Sequence, residues 1–197
     1  MADSRRRKSG ISNRSTDARA LRTRKAALEA FRDLMLTQPL AQVSLEAVAE
    51  RAQVGRSTLY EHFAGKSGLL AVSIAGPFGC LAGALDEKPG LADLERILEH
   101  FSENRALART LFSGASRRRL DAVLAKLVTD KLEARGFKRK GALRIPLSLA
   151  AASLAQLLLA PVVLWLDSGP SVNPKDLAQA LVRASQSALD ALRTSPL

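Results

Sequence analysis

The sequence predicts an all-α protein, and its composition, its helical spacing and its lack of a convincing strand pair all indicate this class. Of the 197 residues, 34 are Leu and 33 are Ala, whereas only four are Ile and eight are aromatic. Leu and Ala favour helices, and strands prefer β-branched and aromatic residues. The composition therefore disfavours sandwiches, barrels and the base-stacking sheets that bind RNA.

The net charge of +11 is concentrated in two segments of the chain. Residues 1–25 contain nine basic and two acidic side chains, and residues 117–144 contain ten and three. Such a balance indicates a polyanionic partner, either nucleic acid or an anionic surface. The single cysteine, Cys80, excludes an internal disulfide and is typical of a reducing cytoplasm.

Residues 1–15 are predicted to form a disordered basic arm, because Ser4–Gly10 has no apolar period. The arm is expected either to contact DNA phosphates or the minor groove, or to act as a solubilising tail. No apolar stretch follows its arginines, so the sequence does not predict a secretory signal.

The first helix is predicted to begin near Thr16-Asp17 and to end before Pro39. One apolar face is expected from helical spacing, and it comprises Leu21, Leu28, Phe31 and either Leu34 or Met35. Later helices are predicted over about 67–86, 91–104, 106–113, 117–135, 143–167 and 174–193. Gly76-Pro77 is expected to kink or split the first of these, and Asn173-Pro174 to cap the last.

The segment 145–166 contains no charged residue, so it is either a membrane span or a helix buried on all sides. Its polar residues and its high alanine content favour the buried helix. The alternative is a membrane-associated cationic helical protein that uses this segment.

The last helix has small or apolar residues at spacings of three and four, namely Leu177, Leu181, Ala184, Ala188 and Ala191 or Leu192. Such a spacing is typical of a helix–helix seam. We expect helices 143–167 and 174–193 to form a four-helix bundle with a second copy of the chain. The alternative is that both helices belong to the core of a monomer.

The segment 44–63 has the layout of a helix-turn-helix. Ser44 is suited to cap a helix over Leu45–Ala52, and a second short helix can run from Gly55 to Phe63. The predicted core positions are Val48, Ala49, Ala52, Val54, Leu59 and Phe63. The other face of the second helix contains groups that reach base edges and phosphates in a major groove, namely Arg56, Ser57, Thr58, Tyr60, Glu61 and His62.

These residues resemble the recognition region of the tetracycline-repressor-like (TetR) family of bacterial transcriptional regulators. The matching stretches are Ala49–Val54 and Thr58–Phe63, followed by Lys66 and Leu69-Leu70. The resemblance covers about residues 17–71. Gln53 replaces the usual turn glycine of the family, so it needs either a positive φ or a different turn, and Gly55 replaces the usual serine cap.

The resemblance implies roles for individual residues. Tyr60 and Lys66 align with residues that hold operator phosphates, and Ser44 lies where a helix start often contacts one. Arg56, Ser57, Thr58 and His62 align with the positions nearest the bases. The alternatives are local: a capping role for Thr58, a packed ring with a wet hydroxyl for Tyr60, and a solvated helix start for Lys66.

The resemblance also implies a domain plan and a function. Residues 16–66 are expected to be the helix-turn-helix domain, and residues 67–197 a helical ligand-binding and dimerisation domain. The expected protein is a cytoplasmic, nucleoid-associated homodimer that represses transcription from a pseudo-palindromic operator and is released by a small-molecule effector. No membrane partner is expected. Activation is the minority mode of the family.

Enzymatic and metal-dependent functions are not predicted. Gly65-Lys66-Ser67 imitates the end of a phosphate-binding loop, but Tyr60 stands where that motif needs its first glycine. His62 and His100 are too far apart in sequence for a helical zinc motif. No cofactor is expected.

The basic segment 117–144 is either a solvated helix face or a site for an anionic effector or partner.

Overall fold

The computed structural model describes residues 4–169 and 172–194, with the side chains of residues 4–17, Leu36 and Ala115 outside that description. The regular secondary structure of this part of the chain is helical, apart from one isolated bridge between Leu143 and Arg193, which confirms the all-α prediction. The helices are α1 (Ser4–Thr37), α2 (Leu45–Arg51), α3 (Arg56–His62), α4 (Gly65–Ala82), a 3-10 turn (Gly83–Leu85), α5 (Leu91–Glu103), α6 (Arg105–Leu111), α7 (Gly114–Ala134), α8 (Leu147–Asp167) and α9 (Pro174–Leu192).

Helix α1 is longer than the sequence predicts. Residues 1–15 are expected to be disordered, but α1 begins at Ser4, and Met1–Asp3 lie outside the described residues. Extending an existing helix adds one hydrogen bond for each residue ordered and needs no new nucleus, and Arg and Lys are good helix formers. The prediction of disorder over residues 4–15 is therefore corrected to a helical extension.

The chain divides into two compact units, the first ending at Ser73 and the second beginning at Ile74. In the first unit, α1 contributes Ala27, Ala30 and Phe31 to the core. The sequence places Leu21 on this face, but Leu21 is 68% exposed. Among the side chains of α1 that the structure describes, Ala27 is the first that is buried, and α1 contacts the short helices α2 and α3.

The core of the second unit is apolar and partly aromatic. The rings of Phe78 and Phe112 stack at 6.2 Å between centroids, and Phe101 meets Phe112 edge-on at 5.4 Å. The guanidinium of Arg105 donates to the carbonyls of Trp165 and Leu166 at 3.1 and 2.9 Å. These bonds satisfy orphan carbonyls at the end of α8 and fix α6 beside it.

Two stretches are long and apolar enough to cross a membrane, Gly65–Leu85 and Leu147–Asp167. Core helices of helical domains pass the same test. Nine of the 21 residues of α8 are buried, whereas Leu149 and Leu164 are exposed, so within one protomer α8 is a core helix on one face and is not buried on all sides.

The structure changes two predictions, the effect of Pro77 on α4 and the first residue of α8. Helix α4 continues through Pro77 rather than splitting, because Ile74, Phe78 and Leu81 on either side of the proline are buried and their packing outweighs one lost hydrogen bond. Helix α8 begins at Leu147, not at 143, because a residue before proline disfavours helical dihedrals and Pro146 caps the helix.

The predicted seam of α9 does not all face outward. Leu177 and Leu181 are only 8% and 3% exposed, because α9 packs on α5 and α8 of the same unit. Ala184 and Ala191 are exposed. The leucines of the seam therefore belong to the core, and these two alanines lie on the surface.

The predicted cap of α9 is confirmed, since Asn173 Oδ1 accepts a hydrogen bond from the Asp176 N–H at 2.8 Å.

Candidate nucleic-acid interface

Helix α2 begins at a side-chain cap. The Oγ atom of Ser44 accepts a hydrogen bond from the Ala47 N–H at 3.1 Å, and the Ser44 backbone is extended. The Ser44 side chain is exposed. A serine hydroxyl that accepts through a lone pair retains its O–H donor, so the same group can cap the helix and donate to an external oxygen.

The turn between α2 and α3 is a Schellman motif. The Gln53 N–H donates to the Glu50 carbonyl at 3.1 Å, and the Val54 N–H donates to the Ala49 carbonyl at 3.0 Å. Gln53 has φ 54°, which is the left-handed conformation that this motif requires after a helix. Of the two possibilities that the sequence allows for Gln53, the positive φ is therefore the one observed.

The left-handed Gln53 leads to a stability prediction. That conformation costs an L-residue about 1–2 kcal/mol, whereas glycine adopts it freely but loses about 0.5–1 kcal/mol more backbone entropy on folding. We expect Gln53→Gly to raise the free energy of unfolding by about 0.5–1 kcal/mol in urea titrations. Gln42→Gly is the matched control, because Gln42 is exposed without a positive φ. Equal losses of stability in both variants would contradict the prediction.

Helix α3 begins at Gly55 without a side-chain cap, and its first residues point polar groups outward. Arg56 and Ser57 are exposed and Thr58 is half-buried. The Arg56 guanidinium is 71% exposed and lies 4.0 Å from a carboxylate oxygen of Glu46. An exposed pair at this distance is weak, so Arg56 can exchange it for another acceptor at small cost.

The two faces of α3 differ in burial. Leu59 and Phe63 are 1% and 4% exposed, whereas the Tyr60 ring is 57% exposed. The half-buried His62 ring meets Phe63 edge-on at 6.5 Å. Of the predicted core positions, four are buried and the remaining two, Ala52 and Val54, are half-buried.

Lys66 lies in the first turn of α4, and its Nζ donates to the Ala41 carbonyl at 3.2 Å. The sequence shows no sign of this contact, because 25 residues separate the two groups. A second contact missed by sequence reasoning joins α1 to α2, where the Arg51 guanidinium donates through Nε and Nη2 to Asp33 at 3.3 and 3.1 Å. Both contacts hold the helices that position α3.

The arrangement is thus two short helices joined by a tight turn, with one face of the second helix buried and the other polar and exposed. Residues 27–72 match the family model of bacterial regulatory proteins of the tetR family. This segment is thus a tetR-family DNA-binding domain. The helix-turn-helix motif lies in the first unit, and the matched segment indicates DNA-binding regulation of transcription.

Solved structures of TetR-family proteins share the fold at low sequence identity. A regulator from Streptococcus agalactiae 2603V has a TM-score of 0.55 at 21% identity, covering 88% of this chain and 98% of that one. A regulator from Streptomyces coelicolor A3 has a TM-score of 0.56 at 19% identity, covering 86% and 96%. The repressor AlkX from Dietzia sp. strain DQ12-45-1b, implicated in biodegradation of n-alkanes, has a TM-score of 0.50 at 21% identity, covering 86% and 98%. Among curated proteins, no relative matches this sequence significantly.

TetR-family regulators are generally non-enzymatic. Burial, and secondarily the Asp93 carboxylate, raise the pKa of the Cys80 thiol above its ordinary value. A raised pKa keeps the thiol protonated at neutral pH, whereas reactive cysteines have lowered pKa values.

Proposed function

We propose that this protein is a homodimeric TetR-family repressor that binds a pseudo-palindromic operator at the nucleoid and leaves it when a small molecule binds the helical domain. The observation that carries the proposal is the exposed polar face of α3, held by a buried apolar face and flanked by the capped start of α2. The chain's charge of +11 favours association with a polyanion.

The proposal divides the exposed groups into two classes. Tyr60, Lys66 and Ser44 hold operator phosphates and set the position of the protein on the duplex. Arg56, Ser57, Thr58 and His62 approach the bases. The first residues of a recognition helix are those that usually contact base edges, and three of these four residues open α3.

The proposed dimer uses the outward faces of α8 and α9. On α8, exposed small or apolar residues recur at helical spacing, at Leu149, Ala152, Ser153 and Leu164. On α9 the corresponding exposed residues are Ala180, Ala184, Ser187 and Ala191. The two helices pack on each other, and small side chains permit the close approach of two more helices from a second copy.

Release by an effector is proposed as a population shift. A small molecule bound in the domain that we assign to ligand binding and dimerisation, residues 67–197, changes the spacing of the two recognition helices of the dimer. One arrangement of the dimer fits DNA and the other does not. The effector can cause release only if its affinity for the second arrangement is higher than its affinity for the first.

Selection of bound sequences from a random duplex pool tests the proposal. We expect the enriched sequences to be pseudo-palindromic, with half-sites one or more helical turns apart. Added protein should then lower transcription in vitro from a promoter that contains the selected sequence. Enrichment of a single asymmetric site would contradict the dimeric mode, and increased transcription would contradict repression.

A further inference from the structure

A second basic surface lies in the loop between α7 and α8. We name residues 135–144 the basic loop; the segment contains Arg135, Lys138, Arg139, Lys140 and Arg144 and no acidic residue. The helix-turn-helix motif belongs to the first unit, whereas the basic loop belongs to the second. The function proposed above makes no use of this loop.

The backbone of the basic loop is fixed to the end of α9. The Arg144 N–H donates to the Leu192 carbonyl at 2.9 Å, and the Thr194 N–H donates to the Ala142 carbonyl at 3.2 Å. The Arg144 guanidinium also donates through Nε to the Arg193 carbonyl at 3.0 Å. A loop held in this way presents its charges without a large entropy cost at the moment of binding.

Acidic groups neutralise only part of this surface. Glu133 lies 3.5 Å from Lys138, and Asp190 lies 3.4 Å from Arg193. The Arg135 guanidinium lies 4.0 Å from Glu87. Arg139, Lys140 and Arg144 are exposed, and among the described residues none of them has a carboxylate within ion-pair distance.

The exposed cations Arg139, Lys140 and Arg144 do not line the neighbouring cavity. That cavity has a volume of about 230 Å³, and the carboxylates of Asp86, Glu87 and Asp190 line it together with Arg135 and Arg193. Both arginines lie against the ring of Phe137, with guanidinium carbons 5.7 and 5.2 Å from its centroid. A phosphate would be repelled by the cavity carboxylates, so the side that attracts anions is the one with Arg139 and Lys140.

The chemistry of the surface favours nucleic acid over a protein partner. The core of a protein interface is depleted of charged residues, but from Lys138 to Gly141 every exposed side chain is a cation. Duplex DNA offers about one phosphate charge for every 1.7 Å of its axis. We propose that the basic loop is a second, sequence-independent site for the DNA backbone, through which an operator-bound protein holds another duplex.

A two-duplex capture experiment tests this proposal with the full chain. An immobilised duplex that contains the selected operator retains the protein, and a labelled duplex of unrelated sequence is then added. The test variant is Arg139→Ala/Lys140→Ala. The matched control is Arg118→Ala/Arg119→Ala, which also removes two exposed cations, but from the first part of α7, a helix of 21 residues that ends beside the loop.

We expect the test variant to remain on the operator and to bind the second duplex about tenfold or more weakly near 0.1 M salt. Its log–log salt slope for the second duplex should be shallower by about 1.8, since each phosphate contact contributes about 0.9. The control variant should capture the second duplex as the wild-type protein does.

Three outcomes would overturn the proposal: equal capture by the test variant and the wild type, equal losses in test and control variants, or displacement of the second duplex by polyglutamate more readily than by competitor DNA. The two-duplex arrangement rests on the proposed operator function, and failure of the protein to stay on the first duplex counts against that function. The basic loop is then tested by the labelled duplex alone, which the wild-type protein should bind more tightly than the test variant does.

Discussion

Leu164→Arg combined with Ala184→Arg is expected to convert the protein from dimer to monomer and to abolish operator binding. Both positions are exposed, Leu164 at 65%, so the fold of each protomer should survive. In the proposed four-helix interface, however, two symmetry-related pairs of arginines would be buried without partners, which is strongly destabilising. A monomer then contacts one half-site instead of two and loses the affinity gained by linked binding.

Light scattering and operator titration measure the two effects. The matched control is Leu91→Arg, because Leu91 is a 41% exposed leucine at the start of α5, outside the proposed interface. The control should remain dimeric with unchanged operator affinity. A dimer that persists in the double variant would place the interface elsewhere. Changing Leu181 would be uninformative, since its burial within the protomer makes unfolding the first consequence.

Arg56→Ala is expected to cost about 1–3 kcal/mol on the preferred operator and to relax the base preference at one or two symmetric positions. The exposed guanidinium at the first turn of α3 can form two parallel hydrogen bonds with a guanine. Its weak pairing with Glu46 is the main contact to be exchanged. Binding to unrelated duplexes should fall only by the loss of one charge.

Arg56→Lys is the control that separates reading from charge. Lysine keeps the charge but lacks the planar pair of donors, so it should restore non-specific binding without restoring the base preference. Tyr60→Phe and Lys66→Ala should instead weaken all duplexes by similar factors, because phosphate contacts contain no sequence information. Measured on a panel of single-base operator variants, an unaltered preference profile in Arg56→Ala would assign Arg56 to the phosphates and leave Ser57 and His62 as the candidates for reading.

Local chemistry made the helix-turn-helix predictable. The Ser44 cap, the short spacing to α3 and the buried Leu59 and Phe63 all depend on residues close in sequence. The left-handed conformation at Gln53 was predictable as one of two options, and the hydrogen bonds of Gln53 and Val54 to the end of α2 show which one is adopted.

Long-range packing explains what the sequence did not predict. Periodicity shows that Leu177, Leu181 and Ala184 lie near one another along α9, but it contains no information on which neighbour covers each of them. The contacts of α9 with α5 and α8 decide that Leu181 is core and Ala184 is surface. In the same way, the links of Lys66 to Ala41 and of Arg51 to Asp33 exist only after folding.

The hydrogen bonds between the basic loop and the end of α9 also constrain the hairpin that α8 and α9 form. Helices α8 and α9 pack on each other, and the Leu143–Arg193 bridge joins the chain before α8 to the residue after α9. A slip of one residue along a helix turns its side chains by about 100°. Because the bridge links the segment before α8 to the end of α9, the outward stripes of the two helices keep a common register and would form one rigid face in the proposed dimer.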